Sequence, residues 1–96
     1  MKEKEIRQLL PIGSVVRLNG GKAPIMIFGI CQTEEETEKE FDYCGVIWPA
    51  GSMGPESNIL FNHKDIDTVL FRGAEGTDRE DFLNRLVEFY KACEEK

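Results

Sequence analysis

The spacing of apolar and polar residues changes period along this chain and divides it into elements. Residues Glu3 to Leu10 place Ile6, Leu9 and Leu10 on one side of about two helical turns, with charges opposite. Pro11 closes that run, because the residue before a proline is pushed out of the α region. Ser14 to Leu18 (SVVRL) is rich in β-branched residues and runs into Asn19-Gly20-Gly21, which predicts a strand and a hairpin turn. Ala23 to Cys31 (APIMIFGIC) is nearly continuous apolar strand. Pro24 belongs at its start or on an edge, and Gly29 marks a bulge or bend. Phe41 to Trp48 alternates Phe41, Tyr43, Gly45 and Ile47 against Asp42, Cys44, Val46 and Trp48, which predicts a third strand.

The Pro/Gly-rich loop Pro49 to Glu56 follows, with Gly51 and Gly54 available for positive φ. Extended structure resumes at Asn58 to Phe61. Asn62-His63-Lys64-Asp65 reads as a turn, and Ile66 to Arg72 as the last strand, with Ile66, Thr68 and Leu70 opposing Asp67, Val69 and Phe71. Thr77 with Glu80 three residues on has the capping-box pattern. Phe82, Leu86, Phe89 or Tyr90, and Cys93 then recur at helical spacing. The sum is an α+β domain: a small curled antiparallel β-sheet or SH3-like barrel of about five strands, with a C-terminal amphipathic helix and a short N-terminal helix. The alternative is an open antiparallel sheet with both helices on one face.

The 96 residues make a single domain, 1–96, since a chain of this length buries only roughly 60 to 65% of its unfolded surface and cannot build two cores. A hydrophobic share of 41% and a charged share of 31% suit a folded, soluble protein. The net charge of −6 repels phosphate backbones and anionic lipid, which argues against a nucleic-acid partner. No run approaches the roughly 18 apolar residues of a membrane span. The start MKEKEIRQLL is too charged for a secretory signal, so membrane insertion is not expected and the cytoplasm is the expected location. Cys31, Cys44 and Cys93 contain no CxxC and read as reduced thiols, Cys31 to Cys44 being the one pairing worth checking. The acidic loop 33–40 has no apolar residue and none of the glycine, Asp or Asn of a calcium loop. It reads as a solvated loop held extended by repulsion.

Candidate chemistry is sparse. His63 with Asp65 and Asp67 forms an H-x-D-x-D pattern, weighed against a turn in which Asn62 or Asp65 caps backbone amides. Ser14, Ser52 and Ser57 lie in no nucleophile motif, and Asn19-Gly20-Gly21-Lys22 precedes a strand rather than the helix that a phosphate cradle requires. No catalytic residue, metal ligand or cofactor is expected. Trp48, beside Pro49 and the glycine-rich loop, reads either as an exposed anchor for a partner or as a core residue at a strand end.

Three stretches carry a resemblance: LLPIGSVVRLNGGKAPIMIFG, DYCGVIWPAGSMGPESNILFNHKDIDTVLFRG, and the final helix opening TDREDFLNRL. The combination of L-P-I-G-S-V-V, Y-x-G-V-x-x-P-x-G and F-N-H-x-D-I-D resembles the domain-of-unknown-function family 4176, from Leu9 to Leu86. Only the length and acidity of the 33–40 loop look particular to this chain. The resemblance implies a small cytosolic product of Gram-positive bacteria, encoded beside type VII secretion substrates such as the LXG toxins. It implies a chaperone or adaptor that holds a toxin before export, with an immunity protein as the alternative. It brings no catalytic residues. The expected protein-binding residues are Trp48, Pro49, Met53, Pro55, Asn58 and Phe61, or an exposed strand edge, with homo-oligomerisation left open.

Overall fold

Alternation within the apolar runs builds five strands: β1 (Val15–Leu18), β2 (Ile25–Thr33), β3 (Glu40–Ile47), β4 (Ile59–Phe61) and β5 (Ile66–Phe71). Helix α1 (Glu3–Gln8) precedes them and α2 (Thr77–Glu94) follows. The structure, a computed structural model, describes residues 1–94. All strand pairs are antiparallel, in the order β4-β3-β2-β1-β5, so the fold is α+β.

The sheet is open. No SH3-like barrel forms, because the three residues of β4 spend their pairing on β3 and β5 pairs only with β1. It is nevertheless curled. Residues 62–65 connect β4 to β5, and His63–Asp65 of that link form a 3-10 turn. Five chain steps reach at most about 17 Å, less than the roughly 19 Å that four flat strand spacings would demand. The two edges must therefore bend toward each other at this corner.

The described chain packs as two compact units, Leu10–Ala74 with the sheet, and Met1–Leu9 with residues 75–94. Cross-strand partners share a face, so the register sorts the sheet's side chains into two sets. One set runs through Val16↔Ile25, Ile27↔Gly45 and Tyr43↔Phe61, where Val16, Ile27 and Tyr43 are fully buried. Burial of each apolar side chain there contributes roughly 1.5–3 kcal/mol. The other set runs through Phe71↔Val15↔Met26↔Val46.

Two bulges change the expected alternation. Ile27 faces Gly45 while Gly29 faces Cys44, so Phe28 is the extra residue, at the bend that Gly29 predicted. Val16 faces Val69 while Val15 faces Phe71, so Leu70 is the extra residue of β5. Leu70 and Phe71 therefore lie on the same side instead of opposing one another. A further shift between Arg17 and Leu18 makes β5 irregular at both ends.

The 33–40 loop is compact, not extended. Thr33 pairs with Glu40, Glu34 N–H donates to the Lys39 carbonyl and Glu38 N–H to the Glu34 carbonyl. Most of its carboxylates face water, where screening leaves too little repulsion to open two backbone bonds. Cys44 faces Gly29 across the β2–β3 ladder and is not bonded to Cys31.

In the helical unit, Ile6, Leu83 and Val87 form the core, with Met1, Leu86 and Tyr90 packed against it. The buried stripe of α2 is thus turned by about one residue from the expected one, leaving Phe82, Phe89 and Cys93 exposed. Thr77 is the first helical residue and Gly76 accepts from Glu80 N–H, so Thr77 sits one position inside the expected cap. Arg7 donates to Asn84 Oδ1 at 3.0 Å, and the Arg79 guanidinium to the Leu9 carbonyl at 2.6 Å.

Glu3 accepts from Arg7 Nε at 2.9 Å and lies 3.7 Å from Lys91 Nζ. The Arg7 hydrogen bond, then the Lys91 charge, holds its carboxyl below the usual 4.5. Its folded value is the depressed one, so the contribution is complete above the ordinary carboxylate value and is lost as pH falls through the lowered one. The pair is exposed. Glu3→Gln is expected to lower the thermal midpoint only slightly at pH 7, and high salt or strong acid should abolish the difference from the wild type.

Candidate functional site: an apolar sheet face beside Trp48

The residues with chemical potential are tied into the fold. Tyr43, fully buried on β3, accepts from Leu10 N–H at 2.9 Å, and its hydroxyl meets His63 Nδ1 at 2.7 Å. His63 N–H donates to Asp42 Oδ2, Asp42 N–H to Asn62 Oδ1, and Asn62 N–H to Asp65 Oδ2. The F-N-H-x-D-I-D segment is a corner lock in which Asn62 and Asp65 cap amides, as the turn reading held. Among the described residues no three His, Cys, Asp or Glu side chains are grouped to hold a metal ion. Ser14 is buried and accepts from Gly73 N–H, while Ser57 Oγ accepts from Met53 N–H and donates to the Gly54 carbonyl. Burial pushes the Cys44 thiol up, away from the thiolate a nucleophile needs. Gly21 N–H closes a β-turn on the Leu18 carbonyl, with Asn19 and Gly20 at its centre.

The exposed feature is the sheet face bearing Met26. Phe28, Trp48, Leu70 and Phe71 are 44, 49, 44 and 62% exposed. Trp48 stands at the end of β3, fixed by its N–H to the Pro24 carbonyl, and its peptide bond to Pro49 is cis. Two hollows open here. One of about 470 Å³ is bounded by Val15, Met26, Trp48, Leu70 and Phe71. The second, about 430 Å³, shares Met26 and runs past Phe28 and Val46 to Ser52, Pro55 and Asn58. No ionisable side chain lines either one. The three aromatics, at roughly 200 Å² each and about half exposed, present about 300 Å² before Leu70 is added. That already reaches the range of roughly 300–600 Å² for the largest patch on a typical monomer.

Of the six residues expected to bind, Trp48 borders the first hollow, and Pro55 and Asn58 border the second. Met53 projects from the loop, 78% exposed, and Pro49 is exposed. Phe61 belongs elsewhere. It is buried on the opposite face with its ring 5.3 Å from that of Tyr43. Met26, Phe28, Leu70 and Phe71 escaped the sequence reading. The signal that could have found Phe28 is plain alternation, since it stands two residues from Met26 on β2.

The corner lock, the Gly45 position on β3 and the Leu10–Ser14 turn coincide with the segments of the resemblance, and residues 9–82 match the family described as Domain of unknown function (DUF4176). The chain belongs to the DUF4176 family. No curated protein and no solved structure matches the chain. Within the DUF4176 region lie the whole sheet, the lock and both hollows. Among the described residues no helix is long and apolar enough to cross a membrane.

Proposed function

We propose that this DUF4176 protein is a non-enzymatic accessory protein of the cytoplasm, a chaperone or adaptor that binds a type VII secreted, LXG-type toxin before export. The observation that carries the binding reading is the apolar face around Met26, Phe28, Trp48, Leu70 and Phe71, exposed and without an ionisable lining. A patch of this size is often functional on a monomer, which supports a binding role. The identity of the partner rests on the family resemblance, and the charge of −6 suits a basic one. Capture from the native host by the tagged protein is expected to recover a neighbouring secretion substrate and to form a complex on a sizing column. Absence of both would sink the reading.

An immunity role is the second reading, favoured by the β2–β3 hairpin, whose tip holds Glu35, Glu36 and Glu38 exposed on a closed turn. Such a tip fits a basic cleft. An immunity protein abolishes toxin activity in a mixed assay, whereas a chaperone leaves activity intact and raises the amount of folded or exported toxin.

A further inference from the structure

We propose that Asn19 is a self-modification site, at which the backbone nitrogen of Gly20 attacks the Asn19 side-chain amide and converts it, through a cyclic imide, to aspartate or isoaspartate. The consequence is a slow loosening of the tie between the β1–β2 turn and the corner that joins β4 to β5.

The sequence supplies the reactive pair once. Asn19 is followed by Gly20, whereas Asn58, Asn62 and Asn84 are followed by Ile59, His63 and Arg85, whose side chains shield the nitrogen that would attack. Two of those three are also engaged. Asn62 Oδ1 accepts from Asp42 N–H at 3.0 Å, and Asn84 lies inside α2, where its Oδ1 accepts from Arg7 at 3.0 Å. A helical backbone holds the following nitrogen in its own bonding pattern, away from Cγ.

The fold leaves the Asn19–Gly20 pair open to reaction. β1 and β2 pair at Val15↔Met26 and Val16↔Ile25, so residues 19–22 lie beyond that ladder, and all of them are exposed. The bond that closes the turn runs from Gly21 N–H to the Leu18 carbonyl at 2.9 Å, and so leaves the Gly20 nitrogen out of the closure. Gly20 takes a φ of +75°, which its lack of a Cβ permits. Among the described residues, nothing but its chain neighbours lies within 4 Å of where a Cβ would stand. Water reaches the nitrogen, and no packed side chain resists the rotation that brings it to the Asn19 Cγ.

The step balances with water alone. Solvent hydroxide takes the Gly20 N–H proton, and the nitrogen's electron pair forms a bond to Asn19 Cγ. The Cγ–Nδ2 bond then breaks and ammonia leaves, its added proton coming from water, which regenerates the hydroxide. Both reacting groups belong to adjacent residues, so the ring closure is intramolecular. Water opens the imide at one carbonyl to give aspartate, or at the other to give isoaspartate, in which the main chain runs through the former side chain.

Asn19 is also where the turn is fastened to the corner. Its N–H donates to the Asp65 carbonyl at 2.8 Å, and its Nδ2 donates to the Lys64 carbonyl at 3.4 Å. Either product loses the Nδ2 donor and sets a carboxylate beside that carbonyl, an acceptor against an acceptor. Isoaspartate adds a carbon to the main chain between the Asp65 bond and the Leu18–Gly21 turn bond, so the two no longer fit one backbone path.

The test incubates the full chain at neutral and mildly alkaline pH and follows each asparagine by peptide mapping, with fragmentation that separates aspartate from isoaspartate. Conversion at Asn19 is expected to run about tenfold or more faster than at Asn58, Asn62 and Asn84, and to rise with pH because hydroxide takes the proton. Gly20→Ala is expected to slow it by a similar factor, with circular dichroism checking that the variant folds. The native chain is expected to react within about tenfold of the same chain unfolded in urea, since the turn leaves the nitrogen open. In the converted chain, hydrogen exchange at the Asn19 and Gly21 amides is expected to quicken about tenfold. A native rate further below the unfolded one, comparable rates at all four asparagines, or Gly20→Ala as fast as the wild type overturns the site. Unchanged exchange at both amides overturns the loosening.

Discussion

Gly45→Ala is expected to destabilise the protein by about 3 kcal/mol, at the upper end for an overpacked core. A Cβ at this position would stand 2.6 Å from Ile25 Cγ2, 2.8 Å from the Met26 carbonyl oxygen and 3.3 Å from Phe61 Cε1. Ile25 is buried, and the Met26 carbonyl belongs to the strand paired with β3, so neither can retreat without moving β2. Alanine also reduces the freedom of the unfolded chain, which returns at most about 1 kcal/mol. The clash wins. For a domain of this length, total stability is of order 5–14 kcal/mol, so the loss is a large fraction. Gly29→Ala is the control. Its Cβ meets the end of the Gln32 side chain at 3.0 Å, which can swing away at the cost of its bond to the Ile30 carbonyl. Urea titration should show a much lower midpoint for Gly45→Ala and a small change for Gly29→Ala; similar losses in both would mean that the close approach at Gly45 is not what constrains it.

The second large effect concerns the hydroxyl of Tyr43. Tyr43→Phe leaves the Leu10 N–H without its acceptor in a buried place, and an unsatisfied buried amide costs roughly 1–3 kcal/mol. His63→Ala removes the other partner, but His63 is exposed and water can reach the hydroxyl once the ring is gone, so its cost should be below about 1 kcal/mol. Thermal melts of the two single variants and the double variant measure the coupling. Neither variant should alter partner capture, because Tyr43 and Phe61 face the opposite side of the sheet from Met26. A His63→Ala loss larger than that of Tyr43→Phe would show that the ring, not the buried amide, is what the corner depends on. Loss of partner capture in either folded variant would tie the lock to the Met26 face.

Much of the fold is legible because it depends on near neighbours in the chain. The period-2 runs place all five strands within about two residues, and Pro24 and Gly29 mark a strand start and a bulge through steric rules that act locally. The corner at Asn62 is readable for the same reason, since Asx side chains cap amides one turn away. Helix α2 is legible as a helix, and Leu86 and Tyr90 do pack on its core side, but Leu83 and Val87 rather than Phe82, Phe89 and Cys93 are buried. Several apolar stripes coexist on it, and only the position of Ile6 selects the one through Leu83 and Val87.

The candidate site was legible only at its rim. Trp48, Pro55 and Asn58 advertise themselves through an aromatic residue in a Pro/Gly loop, whereas Phe61 carried the same apparent signal and is core. Met26, Phe28, Leu70 and Phe71 looked like ordinary strand interior.

By itself, then, the sequence determined the element types, the family and the absence of any local catalytic motif, because each depends on residues a few positions apart. The tertiary structure alone decided which apolar residues face water. Strand order leaves the sheet open, and the register shift between β1 and β5, far apart in sequence, turns Phe71 to the side of Leu70, onto the face that carries Met26. A one-residue shift reverses the side on which every following side chain emerges, and no local pattern records where such a shift falls.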